Sequence, residues 1–395
     1  MINYLSKIIF FIVSLVISGS IINLLKDGGA RDEGPANAVI YVGLLNSSGA
    51  IAKLLMIAFI LIVAKKYKIF ISFKEIVFIF YVNIVSIFSS DISDAVSQSL
   101  GVSLIFVYTR AFVYFFGSEE AKKIFFYYCS GIMLASLVFV VLLPSYGVSV
   151  GLHDGRWQGV FDHKNGLGGF CAIAAIFFLD QYFNSKNKLA LFFWMASIFV
   201  AIKTESFTGI SSAIISSFVY MALNLLGRIN FIVLKVNYVI IGLVFVAYGI
   251  SFYDVQIDFF GKDASFSGRN VIWGDAIHRC LDNIFFGNGV GQIYYEYENF
   301  SDEYLGRYGF FVSSTHSGYI DLLYSLGIFG VIILLVIFFE YKKILSQSKN
   351  YYFMISFFSG FFLLNTFESR LMGWNFYYFS AVFVINICIC DKSKI

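Results

Sequence analysis

Apolar runs long enough to cross a lipid bilayer recur along the whole chain, at about 3–25, 38–64, 75–89, 95–116, 124–143, 165–183, 189–202, 208–226, 231–250, 317–339, 351–364 and 372–390. A spanning helix needs roughly 20 mostly apolar residues, because the hydrocarbon core is about 30 Å thick and water is not there to satisfy open backbone. Composition agrees: 59% of the residues are hydrophobic and 13% charged, with a mean hydropathy of +0.79. Such a chain cannot cover itself with polar surface, which excludes a water-soluble enzyme. The expected fold is an all-α polytopic membrane protein with about 12 transmembrane helices, residues 1–395 forming a single integral membrane domain. The first run leads into further apolar residues after Ser18-Gly19-Ser20, so it reads as an uncleaved span and not a signal peptide. The runs at 38–64, long and carrying Lys53, and at 189–202, which is short, fit the pattern least well.

Alternating the connectors between two sides gathers Lys7, Lys65, Lys66, Lys68, Lys74, Lys122, Lys123, Lys186, Lys188, Arg228, Lys235, Lys342, Lys343, Lys349, Lys392 and Lys394 on one of them. The other side receives only ten basic residues despite much longer loops. The positive-inside asymmetry makes the first side cytoplasmic and puts both termini there. All four histidines, His153, His163, His278 and His316, then fall in or beside the outer segments. The one large connector, 251–316, precedes the tenth span and is expected to form an outer loop subdomain. A net charge of +3 gives no reason to expect nucleic acid as a partner. The five cysteines have no ligand-like spacing and read as packing residues.

Three outer segments concentrate chemistry. Gly155 to Phe170 (GRWQGVFDHKNGLGGF) sets Arg156, Asp162, His163, Lys164 and Asn165 at the mouth of a span. Cations held at the membrane surface suit an anionic or sugar headgroup, although interfacial anchoring would use similar residues. Ser265 to Asn283 places apolar residues at helical spacing, with Asp275, His278, Arg279 and Asp282 opposite, and reads as a surface-lying amphipathic helix. Ser267 is the expected cap and Arg269 stands in the first turn, where free backbone donors favour an anion such as a diphosphate. Ser314 to Gly330 opens with His316 directly before a span, where an imidazole reaches a substrate hydroxyl; Tyr319 shares its helix face and Asp321 follows within the first turns. Lys203 with Glu205, and Glu368 with Arg370, form two further outer polar pairs. Lys53 and Arg110 lie inside spans and need partners or a wet cavity, so a transport path is a competing reading.

Other motifs mislead. GNGVG at 287–291 follows no parallel strand and lacks the lysine of a nucleotide loop. GVSVG at 147–151 matches GxSxG, but it follows a span and Pro144 where a hydrolase elbow needs a strand leading into a helix. Neither HExxH nor DxD occurs, so no catalytic metal and no cofactor is expected.

Taken in order, GVFDHKNGLG from Gly159, SGRNVIW from Ser267, FGNGVGQ from Phe286, HSGYIDLLYSLGIFG from His316 and ES with following aromatics from Glu368 resemble the O-antigen ligase and polymerase family, in particular its exopolysaccharide polymerase branch. The resemblance runs over roughly 75–390. It implies a metal-independent membrane glycosyltransferase at the outer face of the bacterial inner membrane. Such an enzyme moves a glycan from a polyprenyl diphosphate carrier to a hydroxyl, which a polymerase takes from another lipid-linked repeat unit and a ligase from lipid A core. The resemblance gives Arg269 the carrier diphosphate and His316 the acceptor hydroxyl. His163, Lys164 and Asn165 would then supplement the headgroup site or bind sugar, Arg156, Lys203 and Tyr319 are the further candidate substrate-binding residues, and membrane lipids and a chain-length regulator are candidate partners. One departure stands out: the basic residue of a TxSRT-like motif is replaced by Phe207 in TESFTG, leaving Lys203, Arg156 or Lys164 to supply the charge.

Overall fold

A computed structural model describes residues 2–20, 42–67, 69–150, 154–226, 269–299 and 314–392. The described residues form fourteen helices: α1 Ile2–Ser18, α2 Val42–Ala64, α3 Phe73–Ile87, α4 Ile92–Phe116, α5 Ser118–Leu142, α6 Pro144–Gly147, α7 Lys164–Ser185, α8 Lys188–Thr204, α9 Phe207–Leu226, α10 Arg269–Asp282, α11 Gln292–Asn299, α12 Gly318–Ser346, α13 Tyr351–Phe367 and α14 Phe376–Lys392. Six of them hold stretches long and apolar enough to cross a membrane: Ser47–Ala64, Ile92–Phe116, Ser118–Leu142, Lys164–Ser185, Phe207–Leu225 and Gly318–Tyr341. Ile2–Ser18, Tyr351–Phe367 and Phe376–Asp391 are shorter apolar helices. Helices lie over eleven of the apolar runs; the run at 231–250 falls outside the described residues, as do Ser267, His153 and residues 251–268 and 300–313 of the 251–316 connector.

Local signals set the helix boundaries. Ser72 and Glu75 close a capping box at the start of α3, Asp91 caps α4 through the Asp94 N–H, and Asn187 caps α8. Helix α5 begins at Ser118, well before the apolar run at 124, because Gly117 (φ 82°) turns the chain there. The charges that hide this start are handled by pairing: Lys122 Nζ lies 3.0 Å from Asp180 and 2.6 Å from Asn350 Oδ1. Arg110 is likewise closed off inside the bundle, 2.6 Å from Glu75 and bonded to Asn386 and to the Phe70 carbonyl. Lys53 donates to the Ser97 carbonyl and hydroxyl, both at 2.8 Å, and lies over the Trp374 ring.

Helix α7 is the centre of the bundle, buried for most of its length and packed against α8, α9 and α13. Much of the aromatic content is interhelical filling: Phe125 stacks on Phe177 at 4.2 Å and Phe10 on Phe112 at 4.4 Å. Helix α12 is broken at Gly327 (φ 59°, ψ −173°). The loop after α10 fills the break, with Ile328 N donating to Ile284 O (2.8 Å), Phe329 N to Phe285 O (3.1 Å), Asn288 N to Tyr324 O (2.8 Å) and Gly289 N to Ser325 O (3.0 Å). The GNGVG segment therefore satisfies an interrupted helix, a backbone demand that membrane burial makes obligatory. A second cluster, Ile272, Trp273, Ala276, Cys280, Ile293, Tyr297, Ile320 and Tyr324, seats the apolar face of α10 on α11 and α12.

Candidate functional site

Helix α7 begins with a run of polar residues. His163 is the N-cap, its Nδ1 accepting from the Asn165 N–H at 3.1 Å. That contact fixes Nδ1 as unprotonated and aims Lys164 and Asn165 off the helix start. Asn165 Nδ2 then donates to Glu368 Oε1 at 3.0 Å, joining α7 to the segment after α13. Arg269, the first residue of α10, sets Nη2 3.8 Å from the same carboxylate oxygen and its guanidinium over the Phe367 ring.

These residues wall a cleft of about 300 Å³ lined by Lys164, Asn165, Glu205, Ser206, Phe207, Thr208, Arg269, Phe367 and Glu368. Burial raises the pKa of Glu368 against the pull of Arg370, Arg269 and Lys164. Burial also lowers that of Arg269, with Glu368 opposing. At 3.8 Å the pair is too long for a charge-assisted hydrogen bond, so the arginine keeps donors to offer.

His316 stands beside Arg269 in a tightly tied turn. Trp273 Nε1 donates to the Thr315 carbonyl at 2.8 Å, and the Ser317 N–H donates to Thr315 Oγ1 (3.0 Å) and Ser369 Oγ (3.2 Å). Asp321 accepts from Thr315 Oγ1 and from Tyr294 OH at 3.0 Å, so it orients the turn. His316 itself adopts φ 52°, a left-handed conformation uncommon outside glycine. Burial first, then Arg269, Arg370 and His163, hold its pKa down to about 3. The imidazole is neutral at neutral pH and makes no side-chain hydrogen bond among the described residues.

The structure thus brings together Arg269, His316, His163, Lys164 and Asn165. Three other candidates do not line the cleft, although the partner of Arg156 does. Arg156 Nε pairs with Glu205 at 2.9 Å on the exposed rim, Lys203 lies over the Phe199 ring, and the Tyr319 hydroxyl donates to Phe362 O at 3.0 Å. Of the replacements for the charge missing at Phe207, Lys164 is the one that lines the cleft with it. Glu368 and Arg370 do not pair with each other: the Arg370 guanidinium lies over the Tyr377 ring at 5.1 Å. In GVSVG, Ser149 is buried and its Oγ donates to Gln158 Oε1 at 2.7 Å. Among the described residues no three His, Cys, Asp or Glu side chains group as a metal site.

An all-helical chain with spans of this length and a polar cleft at its helix ends is an integral membrane protein. Residues 190–335 match the family model described as O-antigen ligase, which supports the O-antigen ligase/polymerase family for this chain. The matched segment includes Arg269 and His316 and stops short of Asn165 and Glu368 on either side. No curated protein matches the chain.

Proposed function

We propose that the protein is a polysaccharide polymerase of the bacterial inner membrane. It transfers a glycan from a polyprenyl diphosphate carrier to a hydroxyl of a lipid-linked repeat unit at the outer face. The observation that carries this reading is convergence: residues from α7, α10 and the segment after α13 line one cleft, and His316 in the turn before α12 lies within the field of its Arg269.

In the reaction the acceptor oxygen attacks the anomeric carbon, the bond from that carbon to the phosphate oxygen breaks, and its electron pair leaves with the diphosphate. Negative charge grows on the leaving group, so Arg269 and Lys164 stabilise the transition state more than the ground state. The acceptor proton passes to His316. In the free protein burial first, and then Arg269, Arg370 and His163, keep that imidazole weakly basic. A bound diphosphate offsets their field and raises its basicity, which couples proton acceptance to donor loading. Asn165 and Glu368 supply hydrogen-bonding partners for sugar hydroxyls.

A ligase delivering the glycan to lipid A core uses the same chemistry, and the family description, O-antigen ligase, favours it equally. A transporter is disfavoured because Arg110 is spent on Glu75 and Lys53 on Ser97. Deletion in the native host, with complementation by wild type and by His316→Asn, tests all three. Single repeat units reaching the surface with no longer chains on the carrier indicate a polymerase. Long chains stranded on the carrier indicate a ligase, and intermediates trapped in the cytoplasmic leaflet indicate a transporter.

A further inference from the structure

Arg370 is a half-buried cation on which Glu368 and Asp162 act without forming an ion pair. Its backbone is fixed, the N–H donating to Asn365 Oδ1 at 3.1 Å and to Glu368 O at 3.0 Å. Its guanidinium rests on the Tyr377 ring, and the Tyr377 hydroxyl in turn donates to the Gly166 carbonyl in the first turn of α7. Among the described residues no carboxylate reaches it at ion-pair distance and none of its five N–H donors finds an acceptor. A partly exposed guanidinium whose donors are not taken up by the protein can meet an incoming anion with its full fork.

The surroundings say which anion. Arg370 follows cleft-lining Glu368 by two residues and acts together with Arg269 on His316. The start of α7, reached through Tyr377, adds the positive end of a helix on the same side. Phe207 meanwhile fills the cleft position where the motif would supply a basic residue. We infer that Arg370 is the second cation of the carrier diphosphate site: Arg269 and Arg370 flank His316 and take one phosphate group each, so that Arg370 replaces the charge absent at Phe207. This rests on the reading of the cleft as a lipid diphosphate site and adds a binding residue that lies outside the 190–335 family match.

The test is titration of full-length protein in nanodiscs with geranylgeranyl diphosphate and, separately, geranylgeranyl monophosphate. Wild type is expected to prefer the diphosphate. Arg370→Met, which keeps an apolar stem on Tyr377, should weaken diphosphate binding by about 10- to 100-fold, the size of a lost charged hydrogen-bond contact, while monophosphate binding changes little. Arg370→Lys should recover part of the preference, since it restores charge but not the fork. If Arg370→Met does not fold, Arg370→Gln carries the test, and an unchanged diphosphate preference in it overturns the assignment. Equal weakening of both ligands by Arg370→Met overturns it as a merely structural effect. Wild-type-like binding by Arg370→Met with loss in Arg269→Met overturns it too, while leaving the diphosphate reading intact. Failure of wild type to bind either lipid overturns that reading and the inference together.

Discussion

Asn165 and Glu368 stand 203 positions apart in the chain and meet at 3.0 Å, amide donor to carboxylate acceptor, across the mouth of the cleft. The contact ties the start of the central helix to the segment that also carries Arg370, and it shares its carboxylate oxygen with Arg269. Removing the amide leaves a buried acid with one partner fewer. Asn165→Ala should therefore cost about 1–3 kcal/mol of stability and shift Glu368 further toward its neutral form. Thermal unfolding in detergent measures the first effect. An unchanged transition would mean that the bond does not lock the two segments together.

His316 separates backbone from imidazole. Its φ of 52° is tolerated by asparagine better than by alanine, which pays about 1 kcal/mol or more there. His316→Asn should stay folded and in the membrane yet lose chain growth, whereas His316→Ala should lose stability as well. Product ladders alongside membrane levels distinguish the two, and normal ladders from His316→Asn would remove the imidazole from the chemistry.

The same residue predicts a pH dependence. His316 is held near pKa 3 in the folded protein against about 6.5 when unfolded. The unfolded chain takes up the proton first as pH falls, so the stability present above about pH 6.5 is lost on the way down toward pH 3. At pH 5 the loss from this group is about 2 kcal/mol. Unfolding of wild type and His316→Asn at pH 7.5 and pH 5 should show a smaller drop in the variant.

Lys164 and Lys203 look alike in the sequence, each flanking a polar outer segment. The fold divides them: Lys164 lines the cleft and Lys203 rests on Phe199. Lys164→Ala should raise the donor concentration needed for half-maximal transfer more than Lys203→Ala does. The reverse order would place the diphosphate at the other end of the cleft.

What the sequence makes legible is what depends on hydropathy and short motifs. Helices over eleven apolar runs, the amphipathic α10, and the positions of Arg269 at its start and of His316 just before α12 follow from local pattern, because each is set by residues within one helix length. The start of α5 is not legible, since Glu119, Glu120, Lys122 and Lys123 interrupt the apolar run and the partners of Lys122, Asp180 and Asn350, come from distant helices. The pairing of Asn165 with Glu368 and the isolation of Arg370 likewise exist only once α7 and α13 are packed together. GNGVG shows the limit most clearly. The motif could be set aside as a nucleotide loop from sequence, but its role could not be read there: Gly289 and Gly291 face α3 and α4, while Gly287 faces the backbone of α12.

That last contact can be tested directly. Gly327 combines φ 59° with ψ −173°, a region open essentially to glycine, and a Cβ there would lie 2.5 Å from the Phe285 carbonyl. Gly287, on the facing loop, would meet the Ser325 carbonyl at the same distance. Neither backbone can retreat without breaking the hydrogen bonds that fill the interrupted helix, so Gly327→Ala should cost several kcal/mol and sharply reduce folded protein. Gly274 is the control: it lies within α10 with open space around its missing Cβ. Gly274→Ala should raise stability by about 0.5–1 kcal/mol through helix propensity alone. Fluorescence-detected size exclusion and thermal unfolding of the two variants would show opposite signs. Equal tolerance of both would mean that α12 can run unbroken past residue 327 and that the loop does not hold it open.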